Sequence, residues 1–209
     1  MAQSDQDKWE QRYRENTDAD PGPPSELLVS WLDRLPPGRA LDLACGTGRN
    51  ALYLAEQGYQ VDAVDISVQA LQRARRAATA SGVSVNWVQC DLEHALPLAR
   101  DYAVIVVTYY VDLPLLGRLQ RHLAPGGFLL SEQHLRNAAA VSGPSNPAYR
   151  VAPGALARAV SDLHVHSIEE NVYRDASGAL RAVARLVAQR PPSTGSDSGS
   201  GGQPTVRSA

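Results

Sequence analysis

The stretch of residues 40–51 constrains the fold of this chain more than any other. A short apolar run at 41–44 predicts a buried strand, and glycines at 46 and 48 end it. Residues 50–55 then begin the apolar pattern of a helix. Glycines between a strand and a helix let a ligand lie against bare backbone, where any Cβ would collide. The stretch therefore predicts a strand, a ligand-binding turn and a helix in succession.

Strand and helix patterns alternate along most of the chain, and glycine or proline often marks their ends. We expect strands at 40–44, 60–65, 84–89, 102–108 and 127–134, and helices at 4–17, 26–34, 49–58, 67–81, 113–123 and 155–163. A hairpin of 165–174 and 180–189 follows. This order predicts an α/β fold, Rossmann-like and doubly wound, with helices on both faces of a parallel sheet.

Three acids lie at positions where a carboxylate serves an adenosine-containing cofactor. Asp65 ends the second predicted strand, where it can accept hydrogen bonds from ribose hydroxyls. Asp91 follows the third strand and can accept from an adenine amino group. Asp42 lies inside the first strand, where a partly buried acid can organise a loop that holds an ammonium group. These positions predict a nucleoside cofactor beside the glycine turn.

Other interpretations of the glycine turn stay open. Gly46, Gly48 and Ala51 also satisfy the dinucleotide fingerprint, so an NAD-dependent oxidoreductase is the alternative function. A cofactor-binding protein without catalysis is a third possibility. An ordinary tight turn, which also favours glycine, needs no ligand at all.

At these residues the chain resembles the class I S-adenosylmethionine-dependent methyltransferases, over about residues 25 to 190. The matching segments are Leu41-Asp-Leu-Ala-Cys-Gly-Thr-Gly48, Val64-Asp-Ile-Ser67, Gln89-Cys-Asp91 and Leu123-Ala-Pro-Gly-Gly127. Residues 8–13 and 143–149 are similar to segments of small bacterial tellurite-resistance and thiopurine methyltransferases. The resemblance implies a mostly parallel seven-stranded sheet with a C-terminal antiparallel hairpin. It also implies S-adenosylmethionine as cofactor and S-adenosylhomocysteine as product.

Candidate cofactor-binding residues lie in the glycine turn, after the strands and in the N-terminal helix. They are Trp9, Tyr13, Asp42, Ala44, Gly46, Gly48, Asn50, Asp65, Ile66, Asp91, Leu92 and Thr108. Gly46 and Gly48 offer backbone, Ile66 packs on the adenine face, and Asp42 sits behind the turn. The resemblance implies that Trp9 and Tyr13 close over the cofactor; the alternative is that they pack on the core.

The carboxyl ends of parallel strands face the active crevice, and this places the candidate acceptor residues. Tyr109, Tyr110 and His134 are the candidate catalytic residues. Arg12, Arg136, Asn146 and Tyr149 are the candidate substrate-binding residues, although 143–149 has the composition of a plain connecting loop.

The residues after the fourth strand also bear on the acceptor. The chain lacks the Asn/Asp-Pro-Pro-Tyr pattern of amino-group methyltransferases, so DNA bases and protein amides are not expected as acceptors. It also departs from the tellurite-type enzymes, because it lacks the arginine that they carry just past the tyrosine. We expect a small-molecule acceptor, and a thiol or a chalcogen oxyanion such as tellurite or selenite needs little general-base help.

Composition limits the partners and the compartment. A formal net charge of -2 gives no reason to expect nucleic acid or an anionic membrane surface. No apolar run approaches the roughly 20 residues that span a bilayer, and residues 1–20 lack the apolar core of a signal peptide. Cys45 and Cys90 end strands that should be separated by a third strand, which predicts free thiols and a cytoplasmic location.

Three regions are expected along the chain. Residues 1–24 form an N-terminal helix and linker closing over the cofactor site, and 25–190 form the methyltransferase domain. Residues 191–209 lack apolar side chains to bury and should form a disordered tail. No cluster of ligand-type side chains predicts a metal site, and the oligomeric state is left open.

Overall fold

A computed structural model describes residues 2–15, 20–94, 101–137, 141–175 and 178–193. Its strands are β1 (Arg39–Leu43), β2 (Gln60–Asp65), β3 (Val85–Gln89), β4 (Tyr102–Thr108), β5 (Leu123–His134), β6 (His164–Arg174) and β7 (Leu180–Gln189). Its helices are α1 (Ala2–Glu15), α2 (Glu26–Trp31), α3 (Arg49–Glu56), α4 (Val68–Ser81), α5 (Leu113–Leu119) and α6 (Ala155–Ala159). Short 3₁₀ turns occupy Leu32–Arg34, Gln120–His122 and Pro147–Tyr149.

The seven strands form one sheet in the order β3-β2-β1-β4-β5-β7-β6. Strands β1 to β5 pair in parallel, while β7 runs antiparallel to both β5 and β6. The predicted α/β fold, with a mostly parallel sheet and a C-terminal antiparallel hairpin, is therefore confirmed. The strand order reverses between β1 and β4, and doubly wound sheets bind ligands in the crevice at that point.

The central strands β1, β2 and β4 are buried on both faces of the sheet. Ile105 and Val107 of β4 join a core with α5 and α6, while Val104 and Val106 join a second core with α2, α3 and α4. Helices therefore cover both faces. Because β2 lies between β1 and β3, the thiols of Cys45 and Cys90 stand two strands apart, and neither cysteine is in a disulfide.

Several boundaries differ from the sequence-based expectations. β5 begins at Leu123 instead of 127, because Leu123 already pairs with Tyr102 before an irregular stretch containing Gly126 shifts the register. Helix α5 ends at Leu119, and a 3₁₀ turn takes up the rest of the predicted 113–123. Helix α6 ends at Ala159, short of the predicted 163.

Two predicted features fall partly outside the described residues. The end of the predicted helix 4–17 and part of the linker lie at 16–19, and most of the predicted disordered tail lies at 194–209. The division into three regions stays a prediction. In the part of the chain that the structure describes, no helix has the length and apolar character needed to cross a membrane.

We expect Gly48→Ala to destabilise the fold far more than Gly58→Ala. Both glycines have the same left-handed backbone, with φ of +85° and +86°. An added Cβ at Gly48 would lie 2.6 Å from the indole ring of Trp87, whereas Gly58 has nothing within 4 Å. Backbone strain should lower the free energy of unfolding by about 1–2 kcal/mol in both variants, and overpacking should add about 1–3 kcal/mol in Gly48→Ala.

Urea denaturation of the two variants measures this difference. Gly58→Ala serves as the control for backbone strain alone. Equal losses in the two variants would show that the Trp87 ring does not restrict the turn.

Candidate cofactor and acceptor site

A pocket of about 720 Å³ opens at the carboxyl ends of β1 to β4. Its lining includes predicted residues from every part of the site: Trp9, Arg12, Tyr13, Ala44, Gly46, Asp65, Ile66, Asp91, Leu92, Thr108, Tyr109, Tyr110 and Tyr149. It also includes residues that the sequence analysis did not name as site residues: Cys45, Thr47, Arg49, Cys90, Glu93, Val111, Asp112, Leu113 and Pro114. The tertiary fold thus brings together segments that are up to 140 residues apart (Trp9 and Tyr149).

Six predicted residues do not line the pocket, and each instead supports a part of the structure that borders it. They are Asp42, Gly48, Asn50, His134, Arg136 and Asn146. The first three hold the glycine turn and its helix in place, and the last three support the acceptor side, as the contacts below show.

The carboxylate of Asp65 ties the end of β2 to the glycine turn. One of its oxygens accepts a hydrogen bond from the Gly46 amide at 2.7 Å, and the other accepts from the Ser67 amide at 2.9 Å. Burial raises the pKa of Asp65, while the two amides favour its charged form. Each carboxylate oxygen retains a second lone pair, so Asp65 lines the pocket with acceptor capacity left for a ligand.

Asp42 supports the same turn from beneath, where it is 1% exposed. One oxygen accepts from the Ala51 amide in the first turn of α3 at 3.0 Å. Burial raises the pKa of Asp42 to about 7. The side chain therefore organises the start of α3 and does not line the pocket.

Asn50 joins three elements that surround the pocket. Its amide oxygen accepts from the Ser25 amide at 2.9 Å, at the start of α2. Its amide nitrogen donates to the Thr108 hydroxyl at 3.2 Å, at the end of β4. Asn50 is buried and positions Thr108, which does line the pocket.

Helix α1 covers the glycine turn and is fixed at its edge by Glu10. The Glu10 carboxylate accepts from the amides of Val68 and Gln69 at 2.6 and 3.3 Å, at the N-terminus of α4. A carboxylate is favourable there because the first amides of a helix have no partner inside the helix. Sequence analysis missed Glu10, because its partners at the start of α4 lie 58 and 59 positions away along the chain.

Tyr13 of α1 lies against the bare backbone of Gly46. A Cβ added at Gly46 would be 2.6 Å from the Tyr13 hydroxyl oxygen. Burial, and then the nearby charge of Asp65, raise the pKa of Tyr13, so the phenol keeps its proton. The ring lies 6.1 Å from that of Trp9. Part of the space that glycine opens is therefore used by the protein's own phenol.

A second segment meets α1 over the pocket. The ammonium group of Lys8 donates to the Tyr149 hydroxyl at 2.8 Å and lies 4.5 Å from the centre of its ring. Asn146 and Arg136 shape this segment from outside the pocket: the Asn146 oxygen accepts from the Ala148 amide, and Arg136 donates to the Pro147 carbonyl. They support the loop that carries Tyr149 instead of lining the acceptor space.

The side of the pocket where the sequence predicts the acceptor centres on Tyr109. Its backbone is in the left-handed region, with φ of +57°, and its hydroxyl donates to Glu132 at 2.5 Å. The His134 ring lies 4.6 Å from the Tyr109 ring, and the Arg49 guanidinium lies 5.6 Å from it. Burial, and then Arg150, lower the pKa of His134 to about 4, so the imidazole is neutral at neutral pH.

Glu132 is the functional candidate that sequence analysis missed. It is 4% exposed, and its second oxygen accepts from Arg185 at 2.9 Å and from the Ser25 hydroxyl at 3.4 Å. Its signal in the sequence was a single acid inside the otherwise uncharged strand β5. Acids are rarely buried without partners, but the partners lie far away along the chain.

Asp91 follows the end of β3 and lines the pocket there. Its oxygens accept from the Glu93 amide at 3.0 Å and pair with His94 at 3.0 Å. Asp91, Glu93 and His94 place their ligand-type atoms within 4.8 Å of one another, but Glu93 and His94 are exposed. Solvated acids beside a histidine commonly need no metal.

Comparison with known proteins agrees with this geometry. Residues 40–127 match a sequence family described as a methyltransferase domain. Demethylmenaquinone methyltransferase of Thermus thermophilus is 41% identical over 102 residues, which cover 45% of this chain and 46% of that protein. The tRNA 5-carboxymethoxyuridine methyltransferase of Escherichia coli is 48% identical over 102 residues, which cover 44% of this chain and 38% of that protein. The matches span about a third to a half of the length of these curated relatives.

Solved structures show the same fold. TehB from Haemophilus influenzae has a TM-score of 0.69 at 21% identity, with 88% of this chain and 66% of that chain covered. A structure described under the conversion of a disulfide bond into a thioacetal group during echinomycin biosynthesis also has a TM-score of 0.69, at 19% identity, with 89% of this chain and 93% of that chain covered. Residues 40–127 are thus similar to a methyltransferase domain, and the chain shares the fold of these solved structures. The expected resemblance to class I S-adenosylmethionine-dependent methyltransferases is confirmed.

One expectation loses support from these relatives. The near-neutral charge gave no reason to expect nucleic acid, but a tRNA methyltransferase is among the relatives. Nucleic acid is therefore not excluded as an acceptor.

We expect the stability of the wild type, relative to Asp42→Asn, to fall as pH rises. An acid whose folded pKa is raised stabilises the fold below its ordinary pKa of about 4, and that contribution is lost as pH rises through its folded pKa. For Asp42 the folded value is about 7. The difference in free energy of unfolding should change by up to roughly 4 kcal/mol between pH 4 and 8.

Denaturation of both proteins at several pH values measures this trend, and comparison with Asn cancels groups that titrate in both. Asp33→Asn, on an exposed turn, is the control for replacing a surface carboxylate by an amide. A constant offset between wild type and Asp42→Asn across that range would contradict a raised pKa.

We expect Glu10→Ala to loosen α1. Losing the carboxylate leaves the first amides of α4 without this partner, and a helix cap contributes about 1 kcal/mol. Trypsin cleavage after Arg12 and Arg14 should therefore become about fivefold faster. Mass spectrometry of the released fragments measures it.

Glu15→Ala is the matched control for this experiment. Glu15 lies on the same helix and bonds only to Gln11 among the contacts described for its side chain. Unchanged cleavage of Glu10→Ala would show that Glu10 does not hold the helix.

Proposed function

We propose that this chain is an S-adenosylmethionine-dependent methyltransferase that acts on a small-molecule acceptor, either a thiol or a chalcogen oxyanion. The observation that carries the proposal is a single pocket lined by Asp65, the Gly46 backbone and Asp91 at one end and by tyrosines at the other. The methyltransferase relatives and the class I fold support the same reaction class.

The cofactor end of the pocket fits the chemical parts of S-adenosylmethionine. Asp65 has lone pairs available for ribose hydroxyls, and Asp91 for the adenine amino group. Ile66 and Leu92 offer apolar surface to the adenine ring, while the backbone at Ala44 and Gly46 borders the space for the amino-acid tail. A magnesium protoporphyrin IX methyltransferase of the same fold has been crystallised with S-adenosylmethionine bound.

The bound cofactor would supply a methyl group already activated on a sulfonium. The chain's own residues then have to align the acceptor and exclude water, and good alignment contributes roughly 7–11 kcal/mol to lowering a barrier. Trp9, Tyr110 and Tyr149 enclose the space with aromatic surface, and Leu113 and Pro114 add apolar surface. A volume of about 720 Å³ lies within the usual range for small-molecule sites, which supports a small acceptor.

The NAD-dependent oxidoreductase is the weaker alternative. A two-halved dinucleotide fold continues after its third strand with a second strand-helix-strand half. This chain instead ends its sheet with the antiparallel strands β7 and β6.

We expect Asp65→Ala to weaken binding of S-adenosylhomocysteine by tenfold or more, about 1.4 kcal/mol, because charge-assisted hydrogen bonds to the ribose are lost. Isothermal titration calorimetry measures the affinity, and a parallel titration with NAD should show no binding. Asp33→Ala, on an exposed turn, is the control and should keep the wild-type affinity.

Two results would count against this assignment. Unchanged affinity in Asp65→Ala would remove Asp65 from the cofactor site. Binding of NAD without binding of S-adenosylhomocysteine would replace the methyltransferase with the oxidoreductase.

A methyl-transfer screen identifies the acceptor, with release of S-adenosylhomocysteine as the readout. We expect turnover of a thiol, a thiopurine, tellurite or selenite. Small phenols and quinone precursors test other small-molecule branches, and unmodified tRNA tests a nucleic-acid acceptor. Turnover confined to tRNA would overturn the small-molecule assignment while leaving the methyltransferase activity in place.

A further inference from the structure

We propose that Tyr109 and Glu132 form a proton-accepting pair for methyl transfer, and that the acceptor is therefore a thiol that enters the pocket protonated, not a chalcogen oxyanion. This inference rests on the proposed methyltransferase function. It assigns a role to a buried acid that lies outside the pocket lining and to a tyrosine with an unusual backbone.

Tyr109 connects the pocket to the buried acid. It lines the pocket and keeps 39% of its surface exposed, while its hydroxyl donates to the Glu132 carboxylate at 2.5 Å. Its backbone amide also donates to the Glu132 carbonyl at 2.8 Å. A left-handed backbone at a bulky residue costs about 1–3 kcal/mol and occurs most often at functional sites. The phenol is therefore held between the acceptor space and Glu132 at a cost in stability.

Glu132 is held in place by neighbours on the side away from Tyr109. Its second oxygen accepts from Arg185 at 2.9 Å, and Arg185 also reaches the exposed Glu26 at 3.1 Å. Because one carboxylate oxygen is used by Arg185, the other remains directed at the phenol. A cation and a hydroxyl thus hold the carboxylate within reach of the phenol.

Other ionisable groups around the pair are less suited to accept the proton. The charged and titratable groups that face it are Glu26 from α2, Arg49 from α3, His134 from β5, Tyr173 from β6, and Arg181 and Arg185 from β7. The arginines stay protonated, and His134 lies outside the pocket lining with a pKa lowered to about 4. Asp112 does line the pocket, but one of its oxygens caps α5 by accepting from the Leu115 amide at 2.8 Å.

The proton that the acceptor loses in this step is taken up by Tyr109 and Glu132. The acceptor's S–H proton moves to the Tyr109 oxygen as the phenol proton moves to Glu132. The acceptor sulfur forms a bond to the methyl carbon while the bond from that carbon to the sulfonium breaks, and its electron pair stays on the cofactor sulfur. Glu132, now neutral, returns its proton through Tyr109 to water once the products leave.

The proton relay from the acceptor through Tyr109 to Glu132 assists a thiol but not an oxyanion. A thiol with a pKa near 8.5 is mostly protonated at pH 7, and a positioned base contributes about 10²–10⁴-fold to such a reaction. Tellurite and selenite enter as anions with a free lone pair, so a proton acceptor would not assist them. The presence of the pair therefore selects between the two acceptor classes.

The first test uses the protein without cofactor. Absorbance at the wavelength of ionised tyrosine is followed against pH in wild type and Tyr109→Phe, and their difference isolates Tyr109. Burial and the charge of Glu132 raise the pKa of Tyr109, so in Glu132→Gln we expect Tyr109 to ionise at a lower pH. An unchanged titration would show that the two groups do not share a proton, which overturns the proposal.

The second test compares two thiols. 2-Mercaptoethanol is protonated at neutral pH, whereas 4-nitrothiophenol is already ionised. At pH 7 we expect Tyr109→Phe to methylate 2-mercaptoethanol at least 100-fold more slowly than wild type, but 4-nitrothiophenol within about threefold. Between pH 7 and 10, the rate of Tyr109→Phe with 2-mercaptoethanol should rise towards the wild-type rate as the thiolate forms. Equal losses on both thiols, or no loss, would overturn the relay.

Matched variants control for structural effects. Glu26→Gln removes the other partner of Arg185 and should keep the wild-type rates, and Tyr53→Phe on α3 controls for loss of a phenol elsewhere. Glu132→Gln should repeat the Tyr109→Phe pattern. If Glu132→Gln does not fold, Tyr109→Phe decides alone, because it removes only one hydroxyl and leaves the buried Arg185 pair intact.

Calorimetry separates this proposal from the proposed function. Tyr109→Phe should bind S-adenosylhomocysteine with wild-type affinity. If the wild type does not bind it, the methyltransferase proposal fails. If the wild type binds it but methylates neither thiol, or methylates only tellurite or selenite, the relay fails while the methyltransferase proposal stands.

Discussion

The hydrogen bond from the Gly46 amide to the Asp65 carboxylate is the contact on which the site depends. It joins the end of β2 to the turn after β1, so the two strand ends keep a fixed relation. Asp42 holds the far side of the turn by accepting from the Ala51 amide in α3. One buried acid thus shapes the turn from within the core and another from the pocket. Because both are desolvated, their pKa values are raised, and the turn is stabilised by amides that offset this cost.

The cover over the pocket is held by polar contacts at its edges. Glu10 bonds the start of α4, and Lys8 bonds Tyr149 across to the segment after β5. Between them, Tyr13 approaches Gly46 so closely that a side chain at 46 would collide with it. The glycine therefore serves the protein's own packing as well as the ligand.

Much of the fold and of the cofactor end could be predicted from the sequence. β2 and its terminal Asp65, the glycine turn, and Asp91 after β3 are local features, and they lie at the pocket as expected. The acceptor end was predicted less well. His134 and Arg136 were expected there because they lie at and just after the end of β5. The His134 ring instead packs against the Tyr109 ring outside the pocket lining, and Arg136 donates to loop carbonyls. Glu132 was not noticed, because only its partners distinguish it from a misplaced acid.

The sequence by itself determined which segments form strands and helices, since periodicity and glycine punctuation act over a few residues. It also determined that Asp65 and Asp91 lie at the same edge of the sheet, because the carboxyl ends of parallel strands meet there. Only the tertiary structure decided that Tyr109 donates to Glu132, that Arg185 compensates Glu132 from 53 positions away, and that Lys8 meets Tyr149 from 141 positions away. Such pairs depend on how β5, β7 and α1 pack together, and no local pattern encodes the distance between side chains that the chain brings together only after it folds.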